Sequence, residues 1–164
     1  MHKGIAFLAL VGLACAALLV TTDQLTAKRI VHNKRIHEIR QITALVGTQP
    51  DTQPQWVGDT WQLCNEVVLI RTSTPGYGGT IFALVAHDHG RLRGLRVTAH
   101  QETPGIADFV SDPTDPWRQT LRSRTDVELA QLDAVTGATI TSSALLAIVG
   151  EALSRPLAQK QCPP

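Results

Sequence analysis

The stretch best equipped for chemistry is Asp133-Ala134-Val135-Thr136-Gly137-Ala138-Thr139-Ile140-Thr141-Ser142-Ser143, which an apolar run follows at once. It sets hydroxyls and the small residues Gly137 and Ala138 where a helix begins. A helix amino terminus carries unpaired N–H groups and partial positive charge, so it suits an anion such as phosphate. Gly137 and Ala138 let a bulky phosphorylated ligand approach the backbone. A neighbouring hydroxyl can then hydrogen-bond a phosphate or carry one covalently. The same residues also suit a plain hydroxyl-rich helix cap, and their chemistry leaves both readings open. A threonine or serine hydrolase is disfavoured, because no base with an orienting acid is recognisable near Thr139.

Other chemistry-bearing residues are sparse. Of the six His, only His87-x-His89 forms a close pair. No third ligand lies nearby, and a zinc site needs at least three protein ligands. The pair reads as surface histidines flanking a turn, and no metal site is expected. None of the three Cys has metal-site spacing. Cys15 falls in an apolar run, while Cys64 and Cys162 either pair, if the domain lies outside the cytoplasm, or remain two free thiols. There is no Gly-rich nicotinamide fingerprint and no iron–sulfur cysteine set.

The elements that must position these residues follow from length and patterning. The chain has 164 residues, 43% hydrophobic and 18% charged, with a formal net charge of +1. That suits one compact domain with an appendage, and it excludes a disordered chain and a dedicated nucleic-acid binder. Gly4 to Val20 carries no charge. Extended to Thr22 it would cover about 28 Å as a helix, near the ~30 Å of hydrocarbon in a bilayer. No small-x-small cleavage site follows it, and Gly12 replaces the branched apolar residue a lipoprotein signal at Cys15 would need. A retained transmembrane helix is the expectation. Only Lys3 precedes it, while Lys28, Arg29, Lys34, Arg35 and Arg40 follow, so a simple charge count places the domain in the cytoplasm. Leu25 to Val46 has the spacing of an amphipathic helix, either at the membrane surface or as a solvated connection. The expected organisation is an anchor over residues 1–22, an amphipathic helix and linker over 23–60, and a globular domain over 61–164.

Within that domain, strands are predicted over Cys64–Thr72, Thr80–His87 and Leu92–Ala99. Asp88-His89-Gly90 makes a hairpin of the last two. Tyr77-Gly78-Gly79 permits positive φ or close backbone approach. A short helix is predicted over Pro116–Ser123 and an apolar one over Ser142–Ser154. Strands first and helix last, with a hairpin, give an α+β fold: a small, mainly antiparallel sheet with packed helices.

Three segments then carry a resemblance. Asp133-x-x-Thr136-Gly137-Ala138-Thr139 resembles the D-x-x-(S/T)-G-A-T signature of the FMN-binding domain family, which includes the G subunit of the Rnf electron transport complex and the C subunit of the sodium-translocating NADH:quinone reductase. Gly76-Tyr77-Gly78-Gly79-Thr80-Ile81 is similar to the GYGG-x-I segment of the Rnf protein. His100-Gln101-Glu102-Thr103-Pro104-Gly105 is similar to its H-x-E-T-P-G segment. The order and spacing of the three, behind an anchor helix, cover most of the chain. The resemblance implies FMN esterified through its phosphate to Thr139 by a flavin transferase, with Thr141 the nearest competitor. It implies that the transferase reads Asp133 and Gly137, that Thr136 helps seat the phosphate, and that Glu102 and Thr103 give polar contacts beside the flavin ring. Tyr77, Gly78 and Ala138 complete the implied site. Gly105-Ile106-Ala107-Asp108 departs from the family's G-L-G-D, and Ala107 takes positive φ poorly, so the loop is expected to differ there.

The function implied is a membrane-anchored electron carrier, one link of an ion-translocating ferredoxin/NAD complex and not a stand-alone catalyst. Its partners would be the other membrane subunits, with no nucleic acid. The resemblance places the flavin domain on the periplasmic side of the inner membrane, against the charge count. The alternatives are an FMN-binding subunit of another membrane electron-transfer chain, or a non-redox anchored binding or scaffold domain.

Overall fold

The computed structural model describes residues 2–47, 50, 55–63 and 66–155. Cys64 and Cys162, and with them the question of their pairing, lie outside the described residues, as do residues 48–49 and 51–54 of the linker. The chain divides into two compact units, one ending at Arg40 and one beginning at Gln41.

The first unit is helix. α1 runs unbroken over His2–Val46, so the anchor and the amphipathic segment are one 45-residue element. Its early turns expose Phe7, Leu8, Leu10, Leu13, Leu18 and Leu19, as expected of a surface meant for lipid. α1 is long and apolar enough to cross a membrane. At the end of the apolar run the hydroxyls of Thr21, Thr22 and Thr26 donate to the carbonyls of Ala17, Leu18 and Thr22 at 2.6, 2.9 and 2.7 Å. Bonding back to the preceding turn satisfies these hydroxyls without water.

The second unit is an α+β fold. β1 (Thr60–Gln62), β2 (Val68–Pro75), β3 (Thr80–Asp88) and β4 (Arg91–Ala99) form an antiparallel meander in chain order. Strand alternation sends β2 and β3 side chains into two cores. Val68, Ile70, Ile81 and Val85 pack with Leu145, Ile148 and Val149 of the last helix, α4 (Thr139–Ser154). Leu69, Leu84 and Ala86 pack on the other face with Trp61 and with Ile42 and Val46 from the end of α1. Burial on both faces is why Val67-Val68-Leu69-Ile70 is continuously apolar. Each large α4 side chain so buried contributes about 1.5–3 kcal/mol.

The β3–β4 hairpin is as expected: His89 (φ 48°) and Gly90 (φ 72°) both take positive φ, as its two-residue turn requires. Four details differ from the sequence reading. β2 begins at Val68, and the described residues just before it are not strand: the Leu63 N–H donates to the Val67 carbonyl at 2.8 Å, and Glu66 takes φ 70°. The short β1 falls where a loop ends. A helix absent from that reading, α3 (Asp126–Leu129), is started by a Thr125/Glu128 capping box. His87 is not a surface residue: on β3 it is 2% exposed, and only His89 is in the turn.

Between β4 and α4 the chain is polar, and Arg118 orders it from α2 (Pro116–Thr120). Its guanidinium, buried, donates to the carbonyls of Phe109, Val110 and Leu95 at 3.2, 2.7 and 2.6 Å. It fastens the 3-10 turn Asp108–Val110 to β4. Burial pulls its pKa down to about 10 against the opposing pull of Asp115 and Asp112, which leaves it charged at neutral pH.

Neither ring nitrogen of His87 has a hydrogen-bond partner among the described residues, and burial pushes its pKa below the ordinary 6.5. The unfolded chain therefore binds more protons here just below pH 6.5, and this contribution to stability is lost as pH falls. In urea titrations of the detergent-solubilised chain, lowering the pH from 7.5 to 5.5 is expected to destabilise the wild type more than His87→Leu.

Candidate functional site

The site is built around the first turn of α4. The Ala138 N–H donates to the Val135 carbonyl at 3.0 Å, closing a turn with Gly137 at φ +81°. That is the third turn position, where a side chain would be strained. Ser142, fully buried, locks the turn to the helix: its hydroxyl donates to the Ala138 carbonyl (2.9 Å) and accepts from the Val135 N–H (3.1 Å). α4 then starts at Thr139, three residues before the predicted Ser142. No side chain caps it, because the N-cap residue is Ala138, and its first turn holds no acidic residue. The hydroxyls here therefore do not form the ordinary cap that their composition allowed.

Thr139 and Thr141 are separated by their surroundings. Thr139 is exposed at the first position of α4. Thr141 is 3% exposed, and its hydroxyl donates to Oε2 of Glu102.

Glu102 is itself buried. Its Oε1 accepts the N–H of Gly78 at 3.1 Å, so one carboxylate joins the Gly76–Gly79 turn to the start of α4. The loop carrying Glu102 is held on both sides. Its N–H donates to Nδ1 of His100 (3.2 Å), which leaves Nε2 as the His100 donor to Ser111 Oγ (2.6 Å). Further on, Asp108 accepts from the Gly105 N–H at 2.7 Å, and the Ala107 N–H donates to Thr103 at 3.1 Å. Gly105 takes the positive φ of this turn (+83°), and Ala107 sits at φ −117°. The alanine is accommodated because its position does not require the left-handed region.

These segments enclose a cavity of about 380 Å³, within the 300–1,000 Å³ typical of ligand pockets. Gly137, Ala138, Thr139 and Thr141 line it from α4 and the preceding turn, and Tyr77, Glu102 and Thr103 from the two loops. Three lining residues had no signal in the sequence: Ile106, Ala107 and Ile140. Ile106, Ile140 and Tyr77 are well exposed and give the mouth an apolar rim. Not every expected residue lines the cavity. Gly78 supports it through Glu102. Asp133 and Thr136 are exposed on the approach to α4, where the Asp133 carbonyl accepts from the Trp117 indole at 2.8 Å. The arrangement offers a phosphate the open N–H groups of α4, and a planar ring a slot with apolar edges and one buried carboxylate.

The sequence pattern of the FMN-binding domain matches residues 76–154, which contain all of these segments. The chain is 32% identical over 176 residues to the G subunit of the ion-translocating oxidoreductase complex of Stutzerimonas stutzeri, covering 87% of this chain and 76% of that one. Proteins of the same name from Cronobacter sakazakii and Pseudomonas aeruginosa are 35% and 33% identical over 109 and 113 residues. This chain spans 52% and 53% of those two relatives.

A Cβ at Gly78 would overlap the Gln101 carbonyl oxygen. Backbone against backbone leaves no flexible group to yield. Gly78→Ala is expected to cost about 1–3 kcal/mol, the range for overpacking, read from urea unfolding.

Proposed function

This chain belongs to the FMN-binding domain family, alongside the G subunits of the ion-translocating oxidoreductase complexes, and on that footing we propose that it is a membrane-anchored flavoprotein electron carrier. FMN is bound in the cavity between the Tyr77 and Glu102 loops and α4, its phosphate esterified to Thr139. The observation that carries this is the contrast at the start of α4. Thr139 is exposed beside uncapped N–H groups and lines the cavity, its hydroxyl without a partner among the described residues, whereas the Thr141 hydroxyl is committed to Glu102.

When bound, the flavin supplies one- and two-electron transfer; the chain's part is to hold and orient it. The α4 start offsets phosphate charge, and Gly137 keeps the approach clear. Tyr77, Ile106 and Ile140 flank the mouth and exclude water from the ring edge. A phosphoester keeps the cofactor bound without requiring a deep, tight pocket. Electrons are exchanged with redox groups on other membrane subunits of an Rnf-type complex, in which ferredoxin/NAD electron exchange is coupled to ion movement. A flavin transferase that recognises the exposed Asp133 and Gly137 completes maturation. α1 crosses the inner membrane once, and the flavin domain lies on the periplasmic side. The basic residues after the span favour the opposite side by local charge; that rule weakens for long translocated domains.

Two experiments test these assignments. The chain co-produced with a flavin transferase is expected to give a fluorescent band on a denaturing gel and a mass higher by one FMN ester. Thr139→Val should abolish both, and Thr141→Val should keep them; the reverse pattern would move the attachment site. In intact spheroplasts, added protease should digest the flavin domain, and a protected domain would defeat the periplasmic placement.

A further inference from the structure

We infer that Glu102 sets the reduction potential of the flavin by holding a buried negative charge against it. The inference rests on FMN occupying the cavity, as proposed above. Among the described residues, Glu102 is the one carboxylate that lines the cavity, and no Lys, Arg or His lines it. Among the described residues no ion pair reaches Glu102: its oxygens receive only the Gly78 N–H and the Thr141 hydroxyl. Neither of the other titratable groups nearby forms an ion pair with it among the described residues. Tyr77 is a phenol, and the ring of His100 is used by the Glu102 N–H and Ser111. The start of α4, uncapped by any side chain, is the part of the lining that would take the phosphate.

Reduction places two electrons on the ring with either one or two protons. With one proton the ring gains a negative charge, and with two it stays neutral. The electrons come from a reduced redox group of a neighbouring protein in the complex, or from a dithionite-reduced mediator in the laboratory. A fixed carboxylate, poorly screened when buried, disfavours the added electron density. Glu102 therefore lowers the potential. Thr141 and Gly78 are positioning residues, since their hydrogen bonds hold the carboxylate in place.

The test is a spectroelectrochemical titration of the full-length flavinylated chain in detergent, comparing wild type with Glu102→Gln, Glu102→Ser and Glu102→Asp. Both neutral variants are expected to raise the reduced-to-oxidised ratio at fixed poise at least tenfold, about 30 mV for a two-electron couple. Glu102→Asp, which keeps the charge, is expected to stay near the wild type. A purely structural role would order the variants by loss of thermal stability, not by charge. Potentials equal across all four, or following stability, overturn the inference while the covalent fluorescence still supports the flavin. A wild type that carries no flavin overturns both.

Discussion

The site depends on the burial of one carboxylate between two donors that are far apart in sequence. Glu102 receives the Gly78 N–H from one side and the Thr141 hydroxyl from the other, tying the turn before β3 to the loop after β4 and to α4. A buried acceptor left without partners costs about 1–3 kcal/mol or more for a charged group, so the three segments are mutually dependent. Gly78 must be glycine because the backbone passes directly over Gln101. α4 must begin before Thr141 for that hydroxyl to face inward. The loop of Glu102 is fixed by His100 upstream and by the Gly105–Asp108 turn downstream.

That same bond distinguishes two threonines only one residue apart. On a helix, positions 139 and 141 point in directions roughly 200° apart. The residue that bonds Glu102 is thereby buried, and the other faces the cavity and solvent. Ser142 supports the division: it spends its hydroxyl on the Ala138 carbonyl and accepts the Val135 N–H, so it too is internal. Of the two threonines of this segment that line the cavity among the described residues, Thr141 spends its hydroxyl on Glu102 and Thr139 does not.

Most of this was legible in the sequence, and what was not has local causes. The three motif segments were read from their resemblance to the signatures of a family, and the β3–β4 hairpin from Asp88-His89-Gly90 between two alternating runs. β1 was missed because three residues cannot display a period, and β2 was begun too early because the polar pair Asn65-Glu66 ahead of the apolar run Val67-Val68-Leu69-Ile70 was not taken as its boundary. The start of α4 was placed too late because hydroxyl residues usually stand before a helix; here Thr139, Thr141 and Ser142 lie inside it. Thr125 and Glu128 offered a capping-box signal that was overlooked. His87 misled by residue type and Arg118 gave no signal at all: both are polar yet buried, the second by donating to three carbonyls. No one-dimensional pattern encodes that burial, since it arises only when separate segments meet. The apolar rim of Ile106 and Ile140 belongs to the same class.

The two electrostatic features of the cavity also orient what enters it. The start of α4, with unpaired N–H groups and no first-turn acid, attracts an anionic group and sits beside Thr139. Glu102 repels one. A ligand with a phosphate at one end and a neutral ring at the other is therefore driven into a single orientation, phosphate toward the helix and ring toward the loops. The opposite placement would set phosphate against a buried carboxylate with no cation to relieve it. On this reading the helix start and Glu102 act together: the orientation that brings the phosphate to the Thr139 hydroxyl is the one that brings the ring under the influence of the carboxylate. The proposed attachment and the proposed redox tuning would then both follow from the same asymmetry of charge.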